Sequence, residues 1–159
     1  MTKKVKDSII ENIELVQPND TNILGNLHGG RLMHFMDVTA AIAAAKHCNN
    51  VAVTAALDNL VFHHPIHLGD IIRLKASVNR TFNTSLEVGI RVEVENIQTG
   101  EVFHSNSAYF TFVNIDRETG KPLKVNEIIP ETSVEIRRFE QALQRREQRL
   151  KAKSGIFKK

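Results

Sequence analysis

Two periodicities run along this chain. From Ile71 onward, apolar side chains fall on alternate positions: Ile72, Leu74, Ala76 and Val78 oppose Arg73, Lys75 and Ser77. Leu86, Val88, Ile90, Val92 and Val94 then oppose Glu87, Arg91, Glu93 and Glu95. A period of two predicts strands with one buried face. Thr99-Gly100 turns the chain, and Val102–Ile115 (VFHSNSAYFTFVNI) predicts a further strand, closed off by DRETGKP. Nearer the start, Ser8–Gln17 alternates more weakly and breaks at Pro18-Asn19-Asp20. Val51–Phe62 (VAVTAALDNLVF) predicts a long, mostly buried strand, with Pro65 and Gly69-Asp70 making the turn after it.

Between the first two strands lies Gly25–Cys48, GNLHGGRLMHFMDVTAAIAAAKHC. It predicts a helix entered through His28-Gly29-Gly30 and so rich in Leu, Met, Phe and Ala that nearly every side is expected to be buried. Asn49-Asn50 stops it. A single carboxylate, Asp37, interrupts it, followed by eight uncharged positions before Lys46. An acid in such a place is costly to bury unless something needs it there.

After Pro130 the pattern changes again. Thr132 or Ser133 can cap a helix whose Ile136, Phe139, Leu143 and Leu150 form a narrow apolar stripe, ending near Ser154-Gly155. The order is strand, long helix, then four strands with short connections. It predicts an α+β fold in which an antiparallel sheet wraps around one long central helix, with an amphipathic C-terminal helix lying on that body or on a partner. One helix cannot cover the whole sheet, and the sheet has open edges, so at least a dimer is expected.

Composition narrows the picture. A chain of 159 residues, 42% hydrophobic and 25% charged, has the makings of one globular domain. No apolar run is long enough to span a bilayer, and the acids in MTKKVKDSIIENIE are foreign to a secretory leader, so a cytoplasmic protein is expected. The single cysteine, Cys48, allows no internal disulfide and reads as packing. The net charge of +3 hides a division: nine Lys/Arg against Glu140 and Glu147 from Arg137 onward, and 12 against 16 acids before it. The basic tail is either a solvated helix face or a surface for phosphates or nucleic acid.

Candidate chemistry gathers at the helix. Backbone N–H groups at a helix start lack partners and face the positive end of the dipole, so Gly29 and Gly30 could donate to a carbonyl oxygen as it becomes an oxyanion. The alternative is that two glycines merely fit a crowded turn. Asp37, two helical turns beyond Gly30, is too far inside the helix to cap it. It could serve as general base on water or attack an acyl carbon directly; the alternative is a structural acid held by Arg31 or a backbone amide. His63, His64 and His67 cluster around Pro65 without the helical spacing of a metal site, and no metal is expected there.

DTNILGNLHGGRLMHFMD (Asp20–Asp37), LDNLVFHHPIHLGD (Leu57–Asp70) and TSLEVGIRVEVEN (Thr84–Asn96), followed by SNSAYFTFVNID, resemble the hotdog-fold acyl-CoA thioesterases, in particular the cytosolic acyl-CoA hydrolase branch. The likeness covers about Ile9–Val125. It implies a hotdog domain over residues 1–130 with a basic helical extension over 131–159, and hydrolysis of acyl-CoA to a free acid and CoA without metal or organic cofactor. It implies a catalytic acid at Asp37, and an asparagine, matched to Asn26, working opposite an acid of a neighbouring subunit. Asn26 and Asp37 are therefore expected to meet across a dimer interface, with His28 as lining. The resemblance points to Asn59 and Phe62 for pantetheine and to Thr84 and Ser85 for the nucleotide side. Arg80 and the basic C-terminal helix are candidates for the phosphates. It also implies a hexamer built as a trimer of dimers. A non-catalytic acyl-CoA sensor is the competing reading, and nucleic-acid binding through the tail ranks last because no aromatic row beyond Phe139 and Phe157 accompanies the charges.

Overall fold

A computed structural model describes residues 1–58 and 60–156. Its elements are β1 (Thr2–Lys4), β2 (Ile10–Leu15), α1 (Gly29–Cys48), β3 (Ala52–Asp58), β4 (Ile71–Thr81), β5 (Ser85–Glu95), β6 (Val102–Asn114), β7 (Glu127–Ile129) and α2 (Ser133–Ile156). Five strands form one antiparallel sheet in the order β2-β4-β5-β6-β3. The alternating residues behave as their period dictates: Ile72, Leu74, Val78, Leu86, Val88, Val92, Val94 and Phe112 are fully buried on the inner face. Against them α1 sets Leu32, Phe35, Met36, Ala40, Ala43 and Ala44, a stripe at spacings of three and four whose three alanines let the helix lie close to the strands. This is the hotdog fold, with the sheet wrapped around one long helix.

The helix is less enclosed than its composition predicts. Only one stripe is buried; on the other side Met33, Val38 and Ile42 are 39%, 42% and 47% exposed. The apolar surplus that sequence assigns to one core is here divided between this core and a bare face. A second expectation is corrected at β3. The predicted strand Val51–Phe62 stops at Asp58, and instead of being buried it forms an edge of the sheet with Val53, Thr54 and Ala55 exposed. Its two apolar faces mimic a central strand, but only one of them meets α1, and a register shift between Thr54 and Ala56 bends it against β6. Phe62 therefore lies in irregular chain.

Sequence periodicity misses β1 and β7, three-residue strands that pair in parallel and are too short to show a pattern. Their junction closes the C-terminal end of α1. Asn49 adopts the left-handed conformation (φ 51°), and Lys3 Nζ donates to Lys46 O at 2.9 Å and Asn49 Oδ1 at 3.0 Å.

α2 begins as predicted: Thr132 Oγ1 accepts from Glu135 N at 3.2 Å, while the Glu135 carboxylate accepts from Thr132 N at 3.0 Å and Glu131 N at 2.6 Å. Its docking differs from the predicted stripe. Ile136 and Leu150 are 45% and 51% exposed, and the contact face runs instead through Phe139, the fully buried Ala142, Arg145, Arg146 and Arg149. Arg145 reaches the buried Glu87 of β5 through Nη2 (2.7 Å) and Nε (3.0 Å) and lies over the Tyr109 ring. Asn79 Nδ2 donates to the same carboxylate at 2.9 Å. Gly89 makes that possible, because a Cβ there would come within 2.6 Å of Asn79 Nδ2.

Candidate active site

The loop before α1 is built on Asp20, which is 3% exposed. Its carboxylate accepts from Gln17 N at 2.9 Å and from Arg31 Nε at 2.7 Å, and its carbonyl accepts from His28 N at 2.9 Å. Arg31 is thus committed to Asp20, which removes it as the structural partner of Asp37. Asn22 shapes the next turn: its Oδ1 accepts from Leu24 N at 2.9 Å and Asn26 N at 3.2 Å, and Gly25 takes a left-handed φ of 74° that a β-carbon would strain. Leu27 N donates to Ile66 O at 2.7 Å, which ties the loop to the chain after β3.

The loop delivers the chain to α1. His28 holds the capping position without a side-chain cap. Gly29 and Gly30 are the first two helical residues, so their N–H groups have no intrahelical acceptor and lie at the positive end of the dipole. A Cβ on Gly29 would come within 3.2 Å of Phe62 Cζ, so the glycine is what lets the ring close over the helix start. Asn22, Asn26, Leu27, Gly29, Leu32, Phe62, His63, His64, Pro65 and Ile66 line one cleft of about 340 Å³.

Asp37 is half-buried on α1 and is not among the residues lining that cleft. Thr54 Oγ1 of β3 donates to its Oδ1 at 2.6 Å. No further hydrogen bond or ion pair to Asp37 exists among the described residues, so Oδ2 is left for another partner. Thr54 is invisible in the sequence as a site residue, because a threonine in a strand is ordinary there. The other predicted residues divide. His28 is exposed at the mouth of the helix. Asn59 lies outside the described residues, as does Phe157. Thr84 lies in the β4–β5 turn and Ser85 opens β5, both apart from the cleft; Thr84 O accepts from Asn114 N, and Ser85 Oγ accepts from Arg146 Nη1 at 3.0 Å. Arg80 is engaged by α2, donating to Phe139 O at 3.1 Å with its guanidinium over the Phe139 ring.

Burial pushes the Cys48 thiol up to about 11, which makes it a poor nucleophile. Among the described residues no three His, Cys, Asp or Glu side chains converge as a metal site.

A sheet wrapped around one long helix is the architecture of the hotdog thioesterases, and the known proteins place the chain among them. The Thioesterase superfamily matches residues 24–101, and the chain belongs to that family. It is 42% identical to protein VdlD of Helicobacter pylori, over 89% of this chain and 81% of that one. It is 37% identical to YkhA of Bacillus subtilis, described as an uncharacterized acyl-CoA thioester hydrolase, over 93% and 86%. The cytosolic acyl coenzyme A thioester hydrolase of Rattus norvegicus is 38% identical over 81% of this chain, which spans 34% of that relative. Among solved structures, an apo-hexameric acyl-CoA thioesterase superposes with a TM-score of 0.90 at 38% identity, covering 95% of this chain and 96% of that one. The acyl-CoA hydrolase of Staphylococcus aureus, solved with butyryl coenzyme A, gives 0.86 at 33%, over 98% and 97%. Alanine variants of an asparagine, an aspartate and a threonine of that enzyme have also been solved, the three residues standing 15 and 17 positions apart.

Proposed function

We propose that this chain hydrolyses acyl-CoA to a carboxylic acid and CoA, with Asp37 as general base. The carrying observation is the Asp37–Thr54 pair: a carboxylate on an otherwise apolar helix, oriented through one oxygen and open at the other. Asp37 takes a proton from water as the water oxygen bonds to the thioester carbon. The carbonyl oxygen gains negative charge and is received by the N–H groups of Gly29 and Gly30. The C–S bond then breaks, and the CoA thiolate recovers the proton from Asp37. Every atom of this sequence comes from protein, water and substrate, so no metal or organic cofactor enters the reading.

Asn22 takes the role that the sequence motif gave to Asn26. Asn22, Asp37 and Thr54 reproduce the spacing of 15 and 17 found in the Staphylococcus aureus variants, and Asn22 lines the cleft with a side-chain amide that its turn already orients. Since Asp37 is not in the cleft of its own chain, the reading places the complete site between two copies. The open β3 edge and the bare apolar face of α1, which lie beside each other, are the surfaces that a two-fold pairing would cover. The hexameric relative supports a hexamer built as a trimer of such dimers, and the cytosolic rat relative supports work in the cytoplasm.

The test is release of free thiol from acyl-CoAs of graded chain length by wild type and Asp37→Asn. Hydrolysis by wild type alone is the expected result. Binding of CoA esters without hydrolysis by either protein would instead make the chain a sensor.

A further inference from the structure

The wall of the cleft is formed by chain outside regular secondary structure. Phe62, His63, His64, Pro65 and Ile66 line it, yet from Leu60 to Pro65 no backbone hydrogen bond is made among the described residues. The stretch is strung between two anchors. At one end Ile66 O accepts from Leu27 N, and His67 N donates to Asp70 Oδ2 at 2.9 Å. At the other end β3 stops at Asp58, opposite Tyr109 at the open edge of the sheet.

Asp58 is gripped from outside the sheet. Arg149, near the far end of the docking face of α2, donates from Nη1 to Asp58 Oδ2 at 2.5 Å, with the two side chains only 26% and 23% exposed. Arg145, one turn earlier, is locked to Glu87 and Tyr109, so the helix that carries Arg149 is itself fixed against β5 and β6. A partly desolvated ion pair on a rigid base holds its geometry better than an exposed one.

We propose that Arg149 is a positioning residue for acyl-CoA hydrolysis: by gripping Asp58 at the end of β3, it fixes the Phe62–Ile66 wall against the Gly29 start of α1. This rests on the acyl-CoA reading above. It gives the basic C-terminal helix a task inside the enzyme, and it sets Arg149 apart from a residue that touches substrate phosphates directly.

Kinetics with butyryl-CoA distinguish these roles. Arg149→Ala is expected to raise KM about tenfold with a smaller change in kcat, because a displaced wall weakens substrate placement. Asp58→Asn should do the same, the double variant should be no worse than either single one, and Arg149→Lys should recover most of the loss. Glu135→Ala, which removes the N-terminal cap of α2, reports on loosening of the helix as such: melting temperature falls while KM stays. If Asp58→Asn leaves KM unchanged while Arg149→Ala raises it, Arg149 contacts substrate and the proposal is overturned. It is equally overturned if Arg149→Ala behaves as Glu135→Ala does. If wild type hydrolyses no acyl-CoA, the functional reading falls. The grip is then measured as a loss of CoA binding by calorimetry in both Arg149→Ala and Asp58→Asn, and unchanged binding in them refutes it.

Discussion

Thr54 on β3 donates a 2.6 Å hydrogen bond to Asp37 on α1, so the carboxylate is oriented by the strand at the open edge of the sheet. Asp37→Asn should leave the fold intact and lower kcat about 10²- to 10⁴-fold, the range of a lost general base. Thr54→Ala should cost about tenfold, the equivalent of one hydrogen bond. Asn22→Ala should fall with Asp37→Asn, whereas Asn26→Ala should lose far less. Single-turnover hydrolysis of the four variants orders them, and a loss in Asn26→Ala as deep as in Asp37→Asn, with Asn22→Ala near wild type, would restore the sequence-based assignment of Asn26.

Gly29 and Gly30 differ in what surrounds them. A methyl group on Gly29 runs into Phe62 at 3.2 Å, while one on Gly30 meets nothing within 4 Å. Gly29→Ala should displace the ring and lower kcat/KM about tenfold. Gly30→Ala should leave thermal stability unchanged or raised by about 1 kcal/mol, since alanine is the better helix former. Melting curves beside steady-state kinetics test both halves.

His47 is fully buried, with Nε2 2.8 Å from Asn126 O and Nδ1 without a partner among the described residues. The bond to a carbonyl requires Nε2 to carry the proton. Burial holds the pKa below its ordinary 6.5, with the nearby Lys3 pushing the same way against the Asn126 carbonyl and Asp7. The folded value lies below the unfolded one, so the unfolded chain takes up its proton first as pH falls. Stability is therefore expected to decline as pH drops below about 6.5, until the folded group is itself protonated. Urea midpoints at pH 7.5 and 5.5 measure this, and the part due to this residue disappears in His47→Gln.

Val38 and Ile42 leave an apolar face of α1 open to solvent. If this face pairs two copies as proposed, placing a charge there, as in Val38→Glu or Ile42→Arg, should split the assembly, because an unpaired charge in an apolar interface has no compensation. Light scattering should report the smaller species, and activity should be lost with it if the site needs two copies.

Much of the fold is written in local pattern. Strands β4 and β5 follow from alternation, α1 from its run of Leu, Met and Ala, and the start of α2 from Thr132. What failed was whatever depends on the partner of a face. Val51–Phe62 has the composition of a central strand, yet only Ala52–Asp58 forms a strand, with β6 as its one neighbour among the described residues. Phe139 was legible on α2, but the arginines beside it were not, since a guanidinium on a helix looks like solvent-facing charge until Glu87, Tyr109, Phe82 and Asp58 appear opposite. The site divides the same way. The Gly-Gly start and Asp37 announce themselves by being out of place, while Thr54 and Asn22 are ordinary residues made distinctive only by position.

Gly89 belongs to no site, but it ties four positions into one unit. Asn79 fills the space its missing side chain leaves, Asn79 steadies Glu87, and Glu87 anchors Arg145. Any replacement at 89 evicts the amide first and leaves a buried carboxylate leaning on the guanidinium alone. Substitutions at positions 79, 87, 89 and 145 are therefore expected to depend on one another, each change altering what the other three can tolerate.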